Sequence, residues 1–215
     1  MRYFYDCEFN EDGVVVDLIS IAIVSEEGEE FYGVNRDVNC SEIGKNKWVM
    51  KSVMPYIPTE RVWPIPLLDW MDPSVMAKET LQAEVYKFLK RYPEKPELWA
   101  WYGSYDHVCL AQLWGPMVKM PPDLPWYTND LKSIVHLFLT EEQQEAVRAM
   151  TPDLPHEALS DAINLRDRWL YVNEILDFNR LHTEPTAEQI PVTVPETQPE
   201  FPDLQDEENW WPGQS

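Results

Sequence analysis

The first 34 residues contain three apolar runs separated by short turns, and this pattern constrains the fold more than any other feature of the chain. The runs cover residues 2–9, 14–24 and 30–34 and are rich in β-branched and aromatic residues. An Asp-Gly dipeptide follows the first run and a Glu-Gly dipeptide follows the second, which suits hairpin connections. The sequence therefore predicts a sheet that opens as a three-stranded antiparallel meander.

The middle of the chain adds one further strand and several helices. Residues 97–102 predict a strand, because ELWAWY is apolar and ends at a glycine. Apolar spacing or helix-start signals predict helices over residues 45–54, 76–91, 105–113, 128–139 and 156–181. Three strands, a helix, a strand and then helices predict an α/β fold, in which a mixed β-sheet with parallel strands beside the meander is flanked by helices.

The composition changes abruptly after residue 182. Residues 183–215 contain six prolines and eight acids but no Lys or Arg. We therefore expect a domain over residues 1–182, followed by an acidic, Pro-rich tail that is extended or disordered. The tail ends in an Asn-Trp-Trp-Pro stretch at 209–212. That stretch could contact a protein partner or pack back onto its own domain.

Charge and cysteine content limit the classes of function. The formal net charge is -21, and so acidic a chain does not bind polyanions through its bulk field. Binding of nucleic acid would need metal ions or a few basic side chains at the binding site, for which Lys132 and Arg166 are candidates. Three cysteines without metal-ligand spacing predict free thiols. No apolar run resembles a signal peptide or a membrane span, so we expect a cytoplasmic protein without a membrane partner.

Two acids interrupt the apolar first strand, in the stretch YFYDCEF. Asp6 and Glu8 stand two positions apart, and in a strand such side chains share one face. Burying two like charges on one face costs several kcal/mol, roughly, without compensation. A divalent cation would remove that cost. The alternative is an edge strand whose acids face solvent.

Three further polar residues are candidates for the same site. Asp106 lies just past a predicted strand, at the start of a helix, where a structural first-turn Asp is also common. His156 and Asp161 lie five positions apart at the start of the last helix. They can face one cleft, about one helical turn apart, or they can be two exposed polar residues.

Together the acids have a joint chemistry. Four carboxylates can hold two Mg²⁺ or Mn²⁺ ions about 4 Å apart, because hard oxygen ligands suit those ions and not zinc. One ion lowers the pKa of a bound water, and the other stabilises the leaving 3′ oxygen. His156, whose unperturbed pKa is about 6.5, can take the proton from that water. The set predicts in-line hydrolysis of a phosphodiester.

These residues resemble the pattern of the DEDDh class of 3′-to-5′ exonucleases, which share an RNase H-like fold. The pattern appears as Asp6-Cys7-Glu8, Asp106 and His156-x4-Asp161, in the family's order. The stretches RYFYDCEF, DLISIAIV, ELWAWYGSYDHVCLAQLWGPM and HEALSDA look most like a bacterial branch, the polyadenylate-specific exoribonucleases of the AS type. The resemblance covers roughly residues 1–175.

The resemblance implies a role for each of the five residues. Asp6, Glu8, Asp106 and Asp161 would bind two Mg²⁺ or Mn²⁺ ions, and Glu8 would also meet the terminal 3′-hydroxyl. His156 would be the general base. A homodimer is expected because many relatives are dimers.

The expected activity is 3′-5′ exoribonuclease cleavage of single-stranded RNA or RNA 3′ overhangs. Phe9, Tyr102 and Tyr105 lie next to the acids in the sequence and could stack on bases, or belong to the core. Two other functions stay open. One is a DNA-directed or general single-strand exonuclease, and the other is an interaction protein that docks through its Trp-Trp tail.

Overall fold

A six-stranded mixed sheet forms the centre of the computed structural model, which describes residues 1–177. Its strands are β1 (Arg2–Glu11), β2 (Val16–Ser25), β3 (Glu30–Asn35), β6 (Val75–Met76), β7 (Glu97–Ala100) and β8 (Asn129–Asp130). The spatial order is β6-β3-β2-β1-β7-β8. Two further strands, β4 (Thr59–Arg61) and β5 (Leu67–Leu68), form a separate small hairpin.

The strand directions confirm the predicted meander and the predicted mixed sheet of an α/β fold. β1 pairs antiparallel with β2, and β2 pairs antiparallel with β3. β7 runs parallel to β1, β8 runs parallel to β7, and β6 runs parallel to β3. Gly13 and Gly28 occupy the two turns of the meander with φ of 86° and 87°. Such left-handed backbone favours glycine, which explains why both turns carry one.

Helices cover both faces of the sheet. They are α1 (Cys40–Ile43), α2 (Lys47–Ser52), α3 (Lys78–Leu89), α4 (Ser104–Gln112), α5 (Leu131–Phe138), α6 (Glu141–Ala149) and α7 (Ala158–Leu176), with 3₁₀ turns at Met54–Tyr56 and Met117–Lys119. Buried side chains of α3 and α4 join those of Tyr3, Tyr5 and Cys7 in one core cluster. On the other face, Trp169 of α7 packs against Phe4 and Trp99.

Two predicted helices differ from the structure by three or more residues at one end. The helix predicted over 128–139 begins only at Leu131, because Asn129 and Asp130 pair with β7 as a strand. The Asp130 side chain then caps the helix by accepting from the Lys132 N–H group. The helix predicted over 156–181 ends at Leu176, where the next residue turns left-handed with φ 49°.

Other expectations needed smaller corrections. The strand predicted over 97–102 ends at Ala100, and the helix predicted over 45–54 spans Lys47–Ser52. α6 was not predicted. The sequence also predicts Leu170 and Ile175 on the apolar side of the last helix, which is wrong, because both are exposed while Leu165 and Val172 are buried. The buried residues recur every three or four positions, so a single face of the helix packs on the sheet, first on small residues and then on aromatic ones.

The predictions of the domain bounds and of the cysteine state can be compared with the structure over residues 1–177. Met1–Asp177 forms one compact unit, and the predicted tail at 183–215 lies outside the described residues. All three cysteines are free thiols, as predicted. Over residues 1–177, no helix has both the length and the apolar character that a membrane span requires.

Candidate active site

A cleft forms where β7 stops short of the full length of β1. β7 pairs only with Arg2–Phe4, so the backbone of β1 beyond that point has no strand on this side. The Asp106 carboxylate of α4 takes the vacant position, and its Oδ1 accepts from the Cys7 N–H group at 2.9 Å. The cleft thus lies at the carboxyl end of β7, and α/β sheets commonly bind ligands at the carboxyl ends of their parallel strands.

Asp6 and Glu8 point from β1 toward the face that carries α7. The residues that pair with them on β2 are Ala22 and Ser20, whose small side chains leave space above the strand. The register shifts between Glu8 and Phe9, and such a bulge bends a strand and redirects its side chains. Asp6 is half-buried and Glu8 is buried. The alternative of two acids that face solvent is excluded, because Glu8 is only 7% exposed and Asp6 is half-buried.

α7 brings a third carboxylate to the same place. Ala158 and Ala162 pack against Ala22 and Val24 of β2, so the first turn of the helix approaches the sheet closely. Asp161 lies on that turn. One carboxylate oxygen each of Asp6, Glu8 and Asp161 lies within 4.8 Å of the others.

The surroundings of the four acids in the cleft disfavour their ionised forms. Burial raises the pKa of Asp6 well above its usual range, and the charges of Asp106 and Glu8 raise it further. Burial, then the charges of Asp161 and Asp106, raise the pKa of Glu8 to about 8. Burial raises the pKa of Asp106 to about 7 although the Cys7 N–H group opposes it, and burial also raises the pKa of Asp161.

His156 is tied to the carboxylates through its backbone. Its N–H group donates to Oδ2 of Asp161 at 2.8 Å, and its φ of 66° is left-handed, an uncommon conformation outside glycine. The imidazole lies edge-on to the Trp48 indole, with ring centroids 4.8 Å apart. Sequence reasoning missed Trp48, which lies at the start of the short helix α2. Trp48 is 54% exposed, two positions after the capping Asn46, and nothing near it in the sequence indicates its contact with His156.

The three predicted aromatic residues divide into two groups. Phe9 and Tyr105 stack on each other, with ring centroids 5.5 Å apart and an interplanar angle of 11°. At that spacing no base fits between them, so only their outer faces are available. Tyr102 is 64% exposed, and its ring lies edge-on to Trp101.

A buried hydrogen-bond network supports the helix that carries Asp106. The hydroxyls of Tyr5 and Thr128 bond each other, and the Thr128 hydroxyl also lies 2.9 Å from Nδ1 of His107. Thr128 precedes β8, so this network ties the start of α4 to the edge of the sheet. Sequence reasoning missed Thr128, because nothing local distinguishes a loop threonine that bonds across the fold.

The donor set fits hard divalent cations. Every candidate ligand is a carboxylate oxygen, and Mg²⁺ and Mn²⁺ prefer such ligands whereas zinc prefers nitrogen and sulfur. Three acids whose oxygens lie within 4.8 Å repel one another, and bound cations would relieve that repulsion. The structure brings all five predicted residues to one cleft: Asp6, Glu8 and Asp161 directly, Asp106 beside Cys7, and His156 beside Asp161.

Comparisons with known proteins give the family. The profile of the 3′-5′ exoribonuclease Rv2179c-like domain matches residues 68–173. Two curated proteins of Mycobacterium tuberculosis, 3′-5′ exoribonuclease Rv2179c of strain H37Rv and 3′-5′ exoribonuclease MT2234.1 of strain CDC 1551, are each 34% identical over 183 residues, which is 84% of this chain and 98% of each relative.

One solved structure is similar at lower identity. The Mg²⁺- and Mn²⁺-bound form of S. pombe Pop2p aligns with a TM-score of 0.49 and 14% identity, covering 82% of this chain and 84% of that one. The family assignment rests on the mycobacterial relatives, which align over nearly their whole length. The chain belongs to the Rv2179c-like family of 3′-5′ exoribonucleases.

Proposed function

We propose that the protein is a metal-dependent 3′-5′ exoribonuclease of the DEDDh type, akin to the AS branch, which uses two divalent cations. The observation that carries the proposal is the cluster formed by Asp6, Glu8 and Asp161, whose oxygens lie within 4.8 Å of one another. Asp106 completes the ligand set from the opposite side of β1. Divalent cations bound there would supply a water of lowered pKa and stabilise negative charge on the leaving 3′ oxygen.

The protein residues have distinct tasks in this mechanism. His156 takes the proton of the attacking water as general base, and Trp48 restricts the movement of its ring. The Asp161 carboxylate fixes the His156 backbone, so the base and one ligand are placed together. Glu8, next to the strand bulge, contacts the terminal 3′-hydroxyl and so selects a free 3′ end.

The proposed substrate is the 3′ end of single-stranded RNA or an RNA overhang. Stacking on an aromatic ring contributes about 1–3 kcal/mol per base and needs no positive field, so an acidic protein can use it. The exposed ring of Tyr102 and the outer faces of the Phe9–Tyr105 pair are the surfaces proposed for stacking. The homodimer and the partner of the tail stay predictions, because the structure describes one chain over residues 1–177.

The test is a time course on two 5′-labelled 20-mers of one sequence, one RNA and one DNA. Each is incubated with Mg²⁺, Mn²⁺ or EDTA. We expect a ladder that shortens from the 3′ end on RNA and that EDTA abolishes. Equal ladders on both substrates would instead identify a general single-strand exonuclease, and cleavage unaffected by EDTA would contradict the metal site.

A further inference from the structure

Two cations share one aromatic ring beside the carboxylates. The Arg168 guanidinium lies 4.4 Å from the centroid of the Trp101 ring, and Nζ of Lys132 lies 5.4 Å from it. Among residues 1–177, neither side chain has a carboxylate within 4 Å. Two cations without acidic partners are unexpected in a chain of net charge -21. Their positive charge is therefore available to an anion from outside.

The register of the sheet places this pair next to the cleft. Phe4 pairs with Trp99, so Trp99 lies on the α7 face of the sheet. Trp101 lies just beyond the end of β7, and its contact with Arg168 places its ring against α7 on the same face. Arg168 follows Asp161 by seven residues, two turns of α7, and therefore lies on the same side of that helix.

Both cations are held in position. Nε and Nη2 of Arg168 donate to the Met150 carbonyl at 3.0 and 2.6 Å, which fixes the plane of the guanidinium and leaves Nη1 for another partner. Lys132 lies in the first turn of α5, and its Nζ is 6.0 Å from the centroid of the exposed Tyr102 ring. One nucleotide could thus stack its base on Tyr102 and place its phosphate at Lys132. Arg166, the other candidate from the sequence, instead bonds the Glu26 carbonyl.

We propose that Lys132 and Arg168, supported by Trp101, form a phosphate-binding subsite for the RNA backbone on the 5′ side of the scissile bond. An enzyme that removes one terminal nucleotide has no internucleotide phosphate on the 3′ side, so every further backbone contact is upstream. Guanidinium and ammonium groups bind phosphate through charge-assisted hydrogen bonds. The subsite rests on the proposed function, and it explains how so acidic a protein holds a polyanion.

The test compares KM for 5′-labelled oligouridylates of two and six nucleotides with Mn²⁺. In the wild type, KM should fall as length increases, because the longer RNA reaches the cation pair. In the double variant Lys132→Gln, Arg168→Gln, KM should no longer fall with length. The KM of the hexamer should therefore rise by about 10- to 100-fold. The slope of log KM against log salt concentration should fall by about 0.7 for one lost phosphate contact.

Matched variants separate binding from packing. Lys119→Gln removes an exposed cation from the 3₁₀ turn at Met117–Lys119 and should leave the length dependence as in the wild type. Arg168→Lys keeps the positive charge but not the planar guanidinium fork. Its KM for the hexamer should therefore lie between those of the wild type and the double variant. Lys132→Gln alone changes a half-exposed side chain, so its folded state can be checked by its melting temperature.

The outcomes distinguish the two proposals. A wild type that degrades the hexamer, with a folded double variant that keeps the full length dependence, would overturn the subsite alone. A wild type that degrades neither RNA with Mg²⁺ or Mn²⁺ would overturn the proposed function, and the subsite with it. Loss of the length dependence in the double variant but not in Lys119→Gln would support both.

Discussion

The cleft contains two clusters of like charge, and they are held in different ways. The acids, at Asp6, Glu8, Asp106 and Asp161, are buried or half-buried between the sheet and two helices, and burial is the first cause of the raised pKa of each. The cations, at Lys132 and Arg168, lie on the ring of Trp101 at partly exposed positions. The four acids are therefore costly to keep charged. Burial also lowers the pKa of Arg168, but its guanidinium lies against the Trp101 ring, as does the Lys132 ammonium group.

The two clusters form no ion pair within 4 Å among residues 1–177, although the charge of Arg168 opposes the burial that raises the pKa of Asp161. Arg168 lies two turns from Asp161 on the same side of α7, yet it donates to the Met150 carbonyl and not to the carboxylate. A sequence selected for stability alone would pair these opposite charges. Keeping them apart leaves a site that needs cations next to a site that needs an anion. A metal-bound nucleic acid end supplies both.

Removal of one acid should have the largest effect. Asp6→Asn keeps the shape of the side chain but removes its charge and one ligand oxygen, so we expect the exonuclease rate to fall by about 10⁴-fold or more. Titration with Mn²⁺ should show weaker binding. The rate on RNA and the Mn²⁺ affinity are the two measurements.

A matched change outside the cleft controls for loss of general acidity. Glu145→Gln alters a 72% exposed carboxylate on α6 that pairs with Arg148, and it should change neither rate nor affinity. Full activity of Asp6→Asn would contradict the metal site.

Removal of the base should have a smaller effect. His156→Ala should lower the rate by about 10²–10⁴-fold, because a proton acceptor is lost while all four carboxylates remain. Mn²⁺ affinity should stay near the wild-type value, and added imidazole should restore part of the rate. His136→Ala, at an exposed position of α5, is the matched control. A large loss of Mn²⁺ affinity would identify His156 as a ligand instead.

The acid cluster was easier to predict from the sequence than the cation cluster, and the reason is physical. Asp6 and Glu8 interrupt a strongly apolar strand, so their presence conflicts with the local pattern and demands an explanation. Lys132 follows ordinary helix chemistry, and nothing near it in sequence points to Trp101. Arg168 was not considered, because a cation in a long helix is usually a solvated one. The two cations come together at the Trp101 ring only in the tertiary structure.

The same distinction holds for the fold. β1, β2 and β3 were predictable because apolar runs rich in β-branched and aromatic residues, and the glycines of the turns between them, are local signals. β8 was not, because two residues, Asn129 and Asp130, become a strand only by pairing with β7. α6 could have been found, since Thr140 and Gln143 form a capping box that is visible in the sequence. Trp48 could not, because its contact with His156 joins residues far apart in the chain.

The smallest predicted effect is on the stability of the metal-free protein. The pKa of Glu8 is about 8 and that of Asp106 about 7 in the folded state, against about 4 for such groups in an unfolded chain. The folded protein therefore binds more protons than the unfolded chain between about pH 4 and pH 8. These groups give their full stability below about pH 4 and lose it as pH rises through the folded pKa values. In EDTA the melting temperature should fall between pH 6 and pH 8, on the order of 5 °C.

Three comparisons assign that fall to the acid cluster and not to the general charge of the chain. Added Mn²⁺ should remove most of it, because bound cations stabilise the ionised carboxylates. The double variant Asp6→Asn, Glu8→Gln in EDTA should show a smaller fall, because fewer buried acids lose protons on unfolding. Glu145→Gln should keep the fall of the wild type, because its carboxylate is exposed. An equal fall in the wild type, the double variant and Glu145→Gln would mean that the whole acidic surface, and not the cleft, sets the pH dependence. If the cleft sets it, the protein is most stable at the pH where its site is least able to bind a metal ion, and occupancy by cations is what makes the ionised site compatible with the fold.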